Sequence, residues 1–186
     1  MGQIGAPLFV AVRTVALSDL KRHLYQAAWT ASGHAGRGDV GMSVTLYVAE
    51  TARQAREEAE ASTMGFFRSI SKAIRKSDGA TAQTTEAREA RATRLAEITY
   101  DEVLADYAIV GSPDEVAERL SALREPMGFS TLSMWMNPGG QIPNERVLTS
   151  MRLFADRVVP RLAGRRRGSV SVSPRGAWRS SARRCR

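Results

Sequence analysis

Three short apolar runs set what this chain can fold into. Residues 6–12 (APLFVAV), 42–49 (MSVTLYVA) and 131–137 (TLSMWMN) read as strands, and no two are close enough to be joined by a hairpin turn. Patterns of helical period fill the spaces between them, so the units are strand–helix and the sheet they build is parallel. The first run is almost unbroken apolar sequence, as expected of a strand covered on both faces. It begins within a few residues of Met1, which leads us to expect missing sequence upstream.

The helical segments carry their own punctuation. Ser18 is the expected cap of a helix with Leu20, Leu24, Ala27, Ala28 and Ala31 on its apolar face and Gly33 as its stop. Thr51 and Gln54 have capping-box spacing and open a helix through Ala55, Ala59 and Met64 towards about Ser71. After a polar break at 77–85, one helix is expected over about 85–107. Ser112-Pro113-Asp114-Glu115 combines a cap, a proline at the first helical position and a capping-box glutamate. That helix buries Val116, Leu120 and Leu123 and stops at Pro126 and Gly128. The last helix has Val147, Met151, Phe154 and Val158 on one face.

The chain has 186 residues and a formal charge of +8, but the charge is local. Residues 165–186 hold eight arginines and no acid. Without them the 27 basic residues fall to 19, equal to the 19 acidic ones. We therefore expect a neutral domain over 1–164 and a disordered basic tail at 165–186. A nucleic-acid-binding role driven by that tail ranks last among the functions considered, because the tail has one aromatic residue, Trp178, and no periodicity. The single cysteine, Cys185, excludes a disulfide framework within one chain, and no apolar run approaches the length of a membrane span. With no secretory pattern at the start, the expected compartment is the cytoplasm.

Two stretches resemble a known family. The segment GSPDEVAERLSALR at 111–124, with 129–140 and with VLTSMRLFADRVVPRL at 147–162, is similar to the end of the luciferase-like flavin monooxygenases. VTLYVAET at 44–51 and QAAWTASGH at 26–34 are similar to the strand and helix that come before that end. The resemblance implies an α/β fold: the C-terminal portion of a (β/α)8 TIM barrel, about three βα units with a helical insertion at about 52–107. It implies an oxidoreductase or monooxygenase that uses reduced FMN or a deazaflavin, with a small organic substrate and O2. A full barrel needs about 250 residues and eight strands. The family's flavin-phosphate contacts lie largely on strands upstream of this segment, so weak flavin binding or none is expected of this chain alone. A non-catalytic remnant lacking the flavin site is the alternative reading.

In a barrel, alternate strand residues point inward and sites lie at the C-terminal strand ends. Leu8, Val10, Val12, Met42, Val44, Leu46, Val48, Leu132, Met134 and Met136 suit the helix side. The inward set then includes Phe9, Ala11, Arg13, Ser43, Thr45, Tyr47, Ala49, Ser133, Trp135 and Asn137. The candidate cofactor or substrate residues are Arg13 for an anionic group, Tyr47 and Trp135 for stacking on a flat ring, and Asn137 as a hydrogen-bond donor. Each could equally be barrel filling. No metal site is expected, and Glu57, Glu58 and Glu60 with Arg53 and Arg56 read as a solvated helix face. The Gly36–Gly41 segment matches G-x-G-x-x-G, yet it follows a helix and opens a strand, the wrong context for a dinucleotide loop. Exposed strand edges should make the isolated chain self-associate.

Overall fold

The computed structural model describes residues 8–11, 15–36, 38–77 and 84–163. Arg13 and the tail at 165–186 lie outside them. The elements run β1 (Leu8–Ala11), α1 (Val15–Ala31), β2 (Val40–Val48), α2 (Ala52–Lys76), α3 (Thr85–Glu97), α4 (Tyr100–Asp106), β3 (Ala108–Gly111), α5 (Pro113–Met127), β4 (Thr131–Trp135) and α6 (Asn144–Leu153). A π-helical turn (Phe154–Val158) leads into α7 (Val159–Ala163).

All described strand pairings are parallel, and all involve β2. In a parallel ladder the N–H and C=O of one residue point to the same edge, and the next residue's point to the other. Asp39 C=O accepts from Leu8 N–H, and Ala49 N–H donates to Gly111 C=O, so the odd-numbered edge of β2 serves both β1 and β3. Val40 C=O accepts from Ser130 N–H, so the even-numbered edge serves β4. β1 pairs with residues 40–43 and β3 with 45–48, end to end along one edge. β4 stops opposite Thr45. Beyond it, Val48 N–H donates to the buried Ser150 Oγ at 2.7 Å, so a side chain from α6 replaces the absent strand.

The alternation read from the sequence fixes the two faces. Val40, Met42, Val44, Leu46 and Val48 are at most 3% exposed and pack with Tyr25 of α1, Val116 and Leu120 of α5, and Phe154 and Val158. Leu8, Leu132, Met134 and Met136 line the same core, as expected of the helix side. On the opposite face, Tyr47 and Ala49 meet a second core built by Ala55, Ala59 and Phe67 of α2, Leu95 of α3, Val103 of α4, and Ala108 and Val110 of β3. The rest of that face is open: Phe9 is 54% and Trp135 49% exposed. Phe9 lies across Gly41, its register partner, where a Cβ would fall 2.5 Å from the ring.

Several expectations need correction. Among the described residues there are four strands, not three: Ala108–Gly111, between the helix expected to about 107 and the cap at Ser112, is a strand for which no element is expected. The helix expected over 85–107 is two helices, because Thr99 and Glu102 form a complete capping box that starts α4. α1 begins at Val15, so Ser18 lies inside it, and among its described side chains Tyr25 is buried while Leu24 is 64% exposed. Tyr25 and Trp29, one turn apart, carry the larger apolar area and set that face. In the last helix Met151 is exposed and Ser150 is buried in its place. Elsewhere the punctuation holds at Thr51, Ser112 and Gly128, but Pro126 lies inside α5, and the Gln54 side chain turns to Glu58 instead of completing a box. Ser112 and Glu115 form a full capping box, and Gly128 closes α5 in the left-handed region at φ 58°. Thr51 caps α2, which runs on to Lys76.

Candidate functional site

The C-terminal ends of β2 and β4 are roofed by α2, and three of the four candidate residues sit there. Tyr47, near the end of β2, is 2% exposed, and its phenol donates to Glu58 Oε2 at 2.6 Å. Glu58 Oε1 accepts from Gln54 Nε2 at 3.0 Å and lies 3.7 Å from Arg146 Nη1. Burial by itself would raise the Glu58 pKa, but the hydrogen bonds from Tyr47 and Gln54 and the charge of Arg146 outweigh it and hold the carboxyl below its ordinary value. Burial first, and then the carboxylate it faces, push the Tyr47 phenol well above the ordinary tyrosine value, so it stays a proton-bearing donor. These groups border an open cleft of about 340 Å3 between α2 and α6, lined also by Val48, Ala49, Glu50, Thr149 and Leu153.

Asn137 is bonded into the loop that follows β4. Its Oδ1 accepts from Ser62 Oγ at 2.7 Å and from Ile142 N–H at 3.1 Å, and its Nδ2 donates to Ile142 C=O at 2.9 Å. Trp135 faces the open side at the end of β4, with Phe66 of α2 edge-on to its ring at 5.5 Å. Thr45 is its register partner, and Ser133 lies two residues earlier on the same face. Tyr47 thus belongs to the cleft, Trp135 to the open face, and Asn137 to the loop between β4 and α6.

Sequence reasoning missed Glu58, Ser62 and Arg146. Glu58 was read with a solvated helix face, which holds for the exposed Arg53–Glu57 pair beside it. Its half-buried carboxylate instead faces the sheet. The available signal was position: Glu58 and Ser62 are one turn apart, on the stripe of α2 that also carries Ala55 and Ala59. Among the described residues no group of three or more His, Cys, Asp or Glu side chains could hold a metal ion. Among them, too, no helix is long and apolar enough to cross a membrane.

A sequence profile described as luciferase-like monooxygenase matches residues 1–131. The chain belongs to that family. No curated protein sequence matches it. Several solved structures share its fold. A monooxygenase from Streptomyces bottropensis has 23% identity and a TM-score of 0.59, over 87% of this chain and 43% of that one. The oxygenating constituent of 3,6-diketocamphane monooxygenase from a Pseudomonas putida plasmid, in complex with FMN, has 18% identity and a TM-score of 0.62, over 86% and 44%. A coenzyme F420-dependent tetrahydromethanopterin reductase from Methanopyrus kandleri has 15% identity and a TM-score of 0.55, over 86% and 46%. The luciferase-like chain therefore spans less than half the length of these structures. Its parallel sheet, covered by helices on one face and partly open on the other, corresponds to part of their barrel fold.

Proposed function

We propose that this luciferase-like chain works as one wall of a flavin-dependent oxidoreductase of the monooxygenase type. On this reading a reduced flavin, FMN or a deazaflavin, and a small organic substrate meet over the open face of the sheet, with O2 as co-substrate. The observation that carries the reading is Trp135, a half-exposed ring at a C-terminal strand end, backed by Phe66 and flanked by the hydroxyls of Thr45 and Ser133. That is where barrel enzymes place their sites, and an aromatic face suits a flat heteroaromatic ring.

The fit is partial. The described residues offer a surface for the ring but no grip for a phosphate. Arg146 and Arg157, on the helix beside these strand ends, are paired with Glu58 and Glu50. No buried side-chain N or O atom among the described residues lacks a hydrogen-bond partner. Arg13, one of the candidates, lies outside the described residues and remains the proposed contact to an anionic group. A bound reduced flavin would supply the redox chemistry. This chain would supply a stacking surface and, through α2, a cover that excludes water.

The test is flavin titration read by equilibrium dialysis, with the chain alone and with a polypeptide that carries the remaining barrel strands. Binding that needs both pieces and is lost in Trp135→Ala supports the reading. Tight stoichiometric binding by the chain alone overturns this division of labour. Full occupation of the polar groups at the strand ends favours a second reading, a non-catalytic chain, which predicts no flavin under either condition. Among the described residues β1 and β4 pair only with β2, which supports self-association of the isolated chain through its outer strand edges. Light scattering that reports a stable monomer would exclude it.

A further inference from the structure

Helix α2 crosses the end of β4 at two points whose spacings match. Ser62 meets Asn137, and Phe66, one helical turn later, meets Trp135, two residues earlier. Four helical residues rise about 6 Å, and two strand residues span about 6.6 Å, so both points can be satisfied in one alignment only. We propose that Ser62 is the pin that sets this alignment: a positioning residue that presents Phe66 to Trp135 and so shapes the aromatic wall of the open face.

The chemistry at Ser62 is specific. Its side chain is fully buried, and its hydroxyl is saturated. It donates to Asn137 Oδ1 at 2.7 Å and accepts from Gly139 N–H at 3.2 Å and Gln141 N–H at 3.3 Å. Alanine here would leave both loop amides and one Asn137 lone pair without partners. A small residue on the loop enforces the closeness: a Cβ on Gly139 would fall 2.0 Å from the Ser62 carbonyl oxygen, which is backbone and cannot swing away. A one-turn slip of α2 would bring Glu58 or Phe66 to the place of Ser62. Neither side chain can both donate and accept as a hydroxyl does, and Phe66 is too large to sit against the Gly139 backbone. The pin thus acts outward in two directions, on the β4–α6 loop through hydrogen bonds and on Trp135 through Phe66.

That Trp135 lines a ligand site rests on the proposed function; the pin itself does not, and its test needs no flavin. The chain is labelled with 5-fluorotryptophan, its resonances are assigned by Trp→Phe variants, and amide exchange is measured in parallel. Ser62→Ala is expected to move the Trp135 resonance while Trp29 stays in place. It should speed exchange at Gly139 and Gln141 by roughly tenfold or more, the size of one lost hydrogen bond. Phe66→Leu should move Trp135 alike but leave those two amides protected, and Ser62→Ala should add nothing to Trp135 in the Phe66→Leu background. The proposal is overturned if Trp135 does not move in Ser62→Ala, or if all tryptophan resonances move together. It is also overturned if Phe66→Leu releases the loop amides, a result available even if Ser62→Ala does not fold. If the pin holds and flavin titration fails, the functional reading alone falls.

Discussion

The two faces of the central strand follow one alternation but obey different rules. On the helix side, five β2 residues are almost fully buried against α1, α5 and the π-helical turn. On the other side the same strand is closed at its C-terminal end by the insertion and left open lower down, where Phe9 and Trp135 keep about half their surface in water. The covered face is where this luciferase-like chain holds itself together, and the open face is what it has to offer. Apolar burial stabilises in proportion to the area removed from water, so substitutions on the two faces should differ widely in cost.

The largest contrast is Leu120→Ala against Phe9→Ser. Leu120 is wholly buried on the helix side, and its truncation should cost about 2–5 kcal/mol in chemical denaturation. Phe9→Ser removes a ring that is only half buried and should cost about 1 kcal/mol. Comparable costs would mean that Phe9 is covered in solution.

Ser150→Ala probes the point where a side chain stands in for a strand. It removes the acceptor of Val48 N–H and leaves a buried donor unpaired, at a cost of about 2 kcal/mol. A negligible cost would show that water or another group reaches that edge.

Tyr47→Phe sharpens the comparison at the roofed end and carries a pH signature. It should cost about 1.5 kcal/mol near neutrality, as expected for a hydrogen bond to a charged acceptor. The Glu58 pKa is lowered in the fold, so the carboxylate stabilises above its unfolded value of about 4.3 and that contribution fades as pH falls below it. The gap between wild type and Tyr47→Phe should therefore narrow in acid. The Tyr47 pKa is raised, so its contribution is present below about pH 10 and is lost as pH rises further; the gap should narrow there too. Denaturation midpoints measured across pH check both limbs.

The smallest effect belongs to the solvated side of α2. Glu57→Gln breaks an exposed i,i+4 pair with Arg53 and should change stability by about 0.3 kcal/mol, less at high salt.

Much of this was legible in the amino-acid order because it is local. The alternation at 42–49 and 131–137 sorted the strand residues to their faces, and the Ser112–Glu115 box placed the start of α5. Thr99-x-x-Glu102 is the same box and was passed over, because a helix-favouring composition on both sides hid the break. The strand Ala108–Gly111 is four fully buried residues, too short for periodicity to separate from a helix. The site was less legible because its bonds are not local. Ser62 meets a residue 75 positions away, and Glu58 is drawn out of a charged helix face by a phenol on the sheet. The Asn137 amide closes a five-residue turn onto Ile142, a bond that no periodic pattern announces, and its third bond comes from Ser62 on a distant helix.

The tandem seating of β1 and β3 on one edge of β2 also has a consequence for engineering. The long excursion leaves β2 after Val48 and returns to pair with that same strand, Gly111 opposite Val48. Its two ends are therefore a single strand spacing apart, about 4.8 Å, and the ladder of β1, β2 and β4 passes beneath it unbroken. A piece with adjoining ends can be lengthened, exchanged or cut out and the gap spanned by a short turn. In this chain the length of the excursion can therefore change without moving the ladder that β1 and β4 make with β2.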